Sequence, residues 1–150
     1  MGSNPLLQLI YVSQASTDLT EEDLIQIIQT SVKNNQQKEL TGMLLLFEGT
    51  FMQLLEGTAD KLEETLKTIE NDPRHHSLVV YFRSHITARE FADWHMGFKH
   101  LDHSDIEKLP GYLPAFDDGF DLRKVAVNPQ DGVALFKAIA QEHIGQSPSS

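Results

Sequence analysis

The chain has 150 residues, enough for one domain with a sizeable core, and sets 12 Lys and Arg against 22 Asp and Glu. A formal charge of −10, with the basic residues scattered singly, argues against a nucleic-acid backbone or an anionic membrane as the main partner. The absence of cysteine excludes disulfides, thiolate metal sites and Cys-based covalent chemistry.

The apolar runs fall well short of the roughly 20 residues that a membrane span requires. No charged stretch followed by an apolar one opens the chain, so no signal peptide is read and a cytoplasmic location is expected. Leu6–Ser13 (LLQLIYVS) reads as a first strand, with Leu7, Leu9 and Tyr11 on one face by the two-residue period. A helix follows, opened by Thr20-Glu21-Glu22-Asp23 as a capping box with an acidic first turn. Its stripe of Leu24, Ile27, Ile28, Ser31 and Asn35 begins apolar and ends in hydroxyl and amide. Taken alone, Ser31, Asn34 and Asn35 read as a fraying helix end, Asn being a common stop residue.

Met43–Phe47 and Phe51–Leu55 are two apolar runs joined by Glu48-Gly49-Thr50, the pattern of a β-hairpin. Both are apolar at nearly every position, so the hairpin is expected inside a sheet covered on both faces. Gln53 interrupts the second run with an amide that must find partners. On position alone it is read equally well as an amide turned to the solvated end of an edge strand.

A second helix is predicted from about Ala59 to Asn71, with Leu62, Leu66 and Ile69 as its stripe and Asp72-Pro73 as its stop. Arg74-His75-His76 precedes a strand at Leu78–Arg83, and Phe91–Phe98 alternates like a fifth strand with Trp94, Met96 and Phe98 on one face. Pro- and Gly-punctuated chain after His100 leads to an amphipathic helix at about Pro129–His143, carrying Val133, Leu135, Phe136, Ile139 and Ala140. Gly145–Ser150 is expected to be disordered. The order β-α-β-β-α-β plus one strand predicts an α+β, ferredoxin-like domain with both helices on one face. Its first and third strands are then neighbours, which brings Tyr11, Gln53 and Asn35 to one point.

The pieces LIYVS, VKNN, LTGMLLLFEGTFMQLLEG, NDPRHHS and FADWHM, in that order and at these spacings, resemble the BLUF domains, flavin-binding sensors of blue light. The resemblance covers about Leu7–Leu101. It implies FAD as cofactor, held between the two helices, with a light-active Tyr at Tyr11, a Gln at Gln53 and a flavin-amide Asn at Asn35. Ile27 and Ser31 match helix positions lining the flavin ring, and Phe51 a strand position near it. Arg74 and His75 match a turn near the ribityl-phosphate part, while Asn34 stands where parts of the family have His. Trp94 and Met96 match the last-strand pair that relays the signal, with either one turned toward the pocket. Photoexcited flavin is a strong oxidant, Tyr gives it an electron and a proton, and a Gln amide that both donates and accepts bridges the two.

The resemblance implies a BLUF domain at about 5–101, a helical cap at 102–144 and a tail at 145–150. It further implies a short, stand-alone receptor with no catalysis of its own, a homo-oligomer that signals to a separate effector protein. Other readings find less support. No G-x-G-x-x-G follows the first strand, as a Rossmann fold requires. Val12–Leu19 has neither Arg nor Gly for an acylphosphatase loop, and the seven His lack the carboxylate or Cys spacing that would complete a metal site. The remaining alternative is a non-photoactive ferredoxin-like module that dimerises through its C-terminal helix.

Overall fold

A computed structural model describes residues 5–47, 49–92 and 96–100, together with Phe136 and Lys137. The elements run β1 (Leu6–Ala15), α1 (Glu21–Lys38), β2 (Thr41–Phe47), β3 (Thr50–Thr58), α2 (Ala59–Glu70), β4 (His75–His85) and β5 (Gly97–His100). They form one sheet in the order β4-β1-β3-β2-β5. The first four strands are antiparallel neighbours, as in a ferredoxin-like sheet, and β5 joins β2 in parallel. No helix among the described residues is long and apolar enough to cross a membrane.

The hairpin forms as its pattern predicts. Gly49 takes φ +79° in the connection, a conformation that favours glycine. β3 is therefore a central strand, and its burial runs unbroken from Thr50 to Gly57. On one face Leu7, Leu9, Leu44, Phe51 and Leu55 pack with Leu62 and Leu66 of α2, and Leu24 and Ile27 of α1 close on the same cluster. On the other face Ile10, Val12, Met43, Leu45, Met52 and Leu54 are at most 1% exposed, so that face is covered too. Phe136, helical and fully buried, meets Phe91 edge-on there with ring centroids 6.4 Å apart. The rest of the predicted Pro129–His143 helix, the chain from Leu101 into it and the Gly145–Ser150 tail lie outside the described residues.

α1 starts at the predicted capping box, Thr20 and Asp23 each bonding the other's backbone N–H. It does not fray at Asn34-Asn35. It continues to Lys38, where Glu39 in the left-handed region gives its N–H to the carbonyls of Asn35 and Gln36. The fifth strand differs more from expectation. Phe91-Ala92 is a bend and turn, and the strand begins only at Gly97. The backbone N–H groups of Glu90 and Phe91 go to the Glu56 carboxylate rather than to a neighbouring strand, which keeps that stretch out of the sheet. β5 lies beside β2 at one end of the sheet, while β4 fills the other edge of β1.

Gly42 shows how closely β2 and β3 approach. Its φ is +153°, and a Cβ built on it would stand 1.9 Å from the backbone oxygen of Leu54. Gly42→Ala is therefore expected to destabilise the fold by about 3 kcal/mol or more, since a backbone atom has to move. A clear drop in the urea midpoint checks this; an unchanged midpoint contradicts it.

Candidate functional site

Tyr11 and Gln53 are direct partners in the β1–β3 ladder and point to the face that carries the helices. The Tyr11 hydroxyl donates to Gln53 Oε1 at 2.5 Å, and Gln53 Nε2 donates to Met96 Sδ at 3.6 Å. All three side chains are buried. Burial, helped by the charge on Asp72, pushes the Tyr11 phenol above its ordinary pKa. The phenol thus keeps its proton and serves as the donor. Beside it the β1–β4 register shifts twice, between Ile10 and Tyr11 and between Val12 and Gln14, with Ser77 at φ +58°. Such bulges re-aim side chains at functional sites.

A cleft open to solvent lies over this pair. The predicted residues Ile27, Ser31, Asn34 and Asn35 reach it from α1, and Phe51 and Gln53 from β3. Arg74 and His75 reach it from the turn into β4, and Tyr11 from β1. Met96 touches the cleft's floor through Gln53. Trp94 lies outside the described residues.

The helices are braced where they form the cleft. Asn34 Nδ2 donates to Thr65 Oγ1 of α2 at 3.2 Å, and Lys38 Nζ pairs with Glu64 at 2.9 Å. Asn35 is buried in the last turn of α1, and its carbonyl takes the capping N–H groups of Glu39 and Leu40. Sequence reasoning missed Ser13, Thr65, Thr68, Ile69 and Asp72, which also line the cleft. Ser13 was available from the two-residue period after Tyr11, and Thr65 and Thr68 from the flank of the Leu62–Leu66–Ile69 stripe.

At the mouth, Arg74 gives Nε and Nη2 to the Asp72 carboxylate, at 2.6 Å for the shorter contact. The hydrogen bond from Arg74 holds the Asp72 carboxyl below its usual range, and the same pairing raises Arg74. His75 stands edge-on to Phe51, ring centroids 6.3 Å apart. Burial lowers its imidazole below the ordinary value, against the opposing pull of Asp72.

The donor set fits a flavin. Ile27, Leu44, Leu55 and Ile69 give apolar walls, while Asn35 and Gln53 supply amides that both donate and accept. Ser13 Oγ and His75 Nδ1 are buried in the cleft wall without a hydrogen-bond partner among the described residues. Buried polar atoms of this kind call for a ligand or water.

A family model described as "BLUF: Sensors of blue-light using FAD" matches residues 6–97. The chain belongs to the BLUF family. A BLUF domain is a sensor module that uses flavin to detect blue light, and it is not itself the catalytic part of the proteins that contain it. The chain is 36% identical over 94 residues to photoactivated adenylate cyclase subunit beta of Euglena longa, which is 62% of this chain but 11% of that protein. It is 31% identical over 87 residues to the blue light- and temperature-regulated antirepressor BluF of Escherichia coli K12, 58% of this chain and 22% of that one. Among solved structures, the dark state of BlrB, a BLUF protein, superposes with a TM-score of 0.75 at 28% identity, over 93% of this chain and 98% of that chain.

In this BLUF domain the His75 and Asp72 environments act in separate pH windows. His75 has a lowered folded pKa, so as pH falls through about 6.5 the unfolded chain takes up the proton first and stability declines. Asp72 is also lowered; its contribution persists above about 4 and is lost only as pH falls through the depressed folded value. Urea midpoints taken across pH should therefore fall in two stages. His75→Asn is expected to remove the upper stage alone; an upper stage left intact in that variant contradicts the assignment.

Proposed function

We propose that this chain is a blue-light receptor that binds FAD non-covalently between α1, α2 and the sheet, and that Tyr11 and Gln53 carry its photochemistry. The observation behind this is the buried Tyr11–Gln53–Met96 chain of contacts facing a cleft whose wall holds Ser13 Oγ and His75 Nδ1 without partners among the described residues. When bound, the flavin supplies a photoexcited ring that takes an electron and a proton. Tyr11 is the donor of both: its oxygen holds the proton in the dark and passes it along the hydrogen bond to Gln53. Gln53 accepts through Oε1 and donates through Nε2, so rearranging the amide reverses the hydrogen-bond pattern without breaking the chain. Asn35 would hold the polar edge of the ring, and Ile27 and Ser31 would line the slot that takes it. Asn34 acts by holding Asn35 and Thr65 in place.

Arg74 gives Nε and Nη2 to Asp72, so its Nη1 edge is the one that would serve the phosphate end of FAD. The chain works in the cytoplasm without catalytic activity of its own, as a homo-oligomer that passes its state to a separate effector protein. The relatives named as cyclases support a sensor that drives something else, since the matched region is a small part of each.

Absorption spectra of the flavin-loaded chain before and after blue light test this reading. A small red shift that reverts in the dark is expected, and an unchanged spectrum rejects it. Tyr11→Phe should keep the flavin and lose the shift, at a stability cost of about 1 kcal/mol for the missing hydrogen bond. A normal photocycle in that variant means the donor is another residue. Acid release and chromatography of the bound flavin identifies it as FAD, FMN or riboflavin.

A further inference from the structure

Glu56 is the one acidic side chain among the described residues that is completely buried, and the photochemistry proposed above does not use it. It lies three residues beyond Gln53 on β3, on the opposite face of the sheet, opposite Gln8 of β1 and Thr41 of β2. Its Oε2 accepts from Gln8 Nε2 at 2.7 Å and from the backbone N–H of Glu90 at 2.8 Å. Its Oε1 accepts from the backbone N–H of Phe91 at 2.8 Å and from Thr41 Oγ1 at 3.4 Å. Arg89 closes the cluster, giving Nη1 to Thr41 Oγ1 and the Glu56 carbonyl and Nη2 to the Glu39 carbonyl. The two sheet strands beside β3 and the connection between β4 and β5 thus converge on one carboxylate.

Two further contacts leave from that connection. Phe91 packs edge-on against Phe136, and Glu90 pairs with Lys137 at 2.9 Å. Five residues past Phe91, Met96 receives the Nε2 donor of Gln53. We propose that Glu56 is a positioning residue for the light response. It fixes residues 89–91 to the strand that carries Gln53, so that a change in the Gln53–Met96 contact is delivered to Phe136 and Lys137 instead of being absorbed in the connection. A carboxylate suits this role because it accepts from two successive backbone N–H groups and sets their register, which an apolar contact does not. The proposal rests on the reading that Gln53 rearranges in light.

Hydrogen exchange in dark and light, together with the flavin spectrum, tests it in the flavin-loaded chain. Glu56→Gln keeps the shape but turns an NH₂ group toward donors, so one oxygen's partners lose their acceptor. The variant should keep the red shift and exchange one of the Glu90 and Phe91 amides, the one left facing the new NH₂ group, about tenfold faster in the dark. Its light-minus-dark difference around Phe136, present in the unmodified chain, should be lost. A purely structural Glu56 would lower stability and leave that difference in place, and this result overturns the proposal. So does an unmodified chain that shows the red shift with no light-dependent exchange around Phe136. A missing red shift in the unmodified chain rejects the functional reading instead. Should Glu56→Gln not fold, Gln8→Leu removes a single donor from the same carboxylate, with a partial loss of the difference expected and an undiminished one counting against the proposal.

Discussion

A strand buried on both faces has to satisfy every polar side chain it carries from within the protein, and in the interior of β3 these are Gln53 and Glu56. Gln53 turns toward the helices and Glu56 toward the other face, each at most 3% exposed. A buried amide or carboxylate left without partners costs on the order of 1–3 kcal/mol or more. The fold meets that demand with specific neighbours: Tyr11 and Met96 for the amide, and Gln8, Thr41 and two backbone N–H groups for the carboxylate. The sheet order helps make both sets available: β1 on one side of β3 supplies Tyr11 and Gln8, β2 on the other supplies Thr41, and Met96 arrives just ahead of β5, which pairs with β2.

The helices then complete the first of these two polar centres. α1 remains helical through Asn35 because its C-cap lies four residues later, at Glu39. Without that extension the Asn35 amide would leave the last turn and lose its place in the cleft wall. The Asn34–Thr65 and Lys38–Glu64 contacts hold α2 at a fixed spacing from the same turn. The exposed ion pair adds little by itself. The partly buried Asn34–Thr65 bond is the stronger constraint, since it joins the two helices at the buried Thr65 hydroxyl.

Much of this was legible in the residues. Hydrophobic period and caps located both helices and the hairpin, and the ferredoxin-like order put Tyr11 beside Gln53, as the ladder has it. The family resemblance, not periodicity, singled out Arg74 and His75, which do face the same cleft. The fifth strand was misread because Phe91–Phe98 alternates in sequence while its first N–H groups are diverted to Glu56. Alternation reports which side chains are apolar; it does not report where a backbone donor goes. Glu56 was passed over for a related reason. In LLEG it reads as the polar end of a strand, and only the pairing of Gln8 with Glu56 across β1 and β3 shows a buried pair. Long-range register of that kind leaves no local trace.

The two polar centres differ in what they allow. Gln53 has unequal ends: its oxygen takes a strong hydrogen bond from the phenol, and its nitrogen rests on a thioether, a weak acceptor. Turning the amide end for end would bring Nε2 to the phenol oxygen, which can accept. It would also bring Oε1 to Met96, which has no proton to give. The reversed amide therefore needs a donor or acceptor from another group in the cleft, and its balance is open to whatever occupies that space. Glu56 offers no such choice. Its two oxygens are equivalent, and every partner around them is a donor, so rotation of the carboxylate returns the same arrangement. β3 thus places a group with two distinguishable orientations three residues from one with a single stable arrangement, and a change at the first is felt against the fixed position of the second.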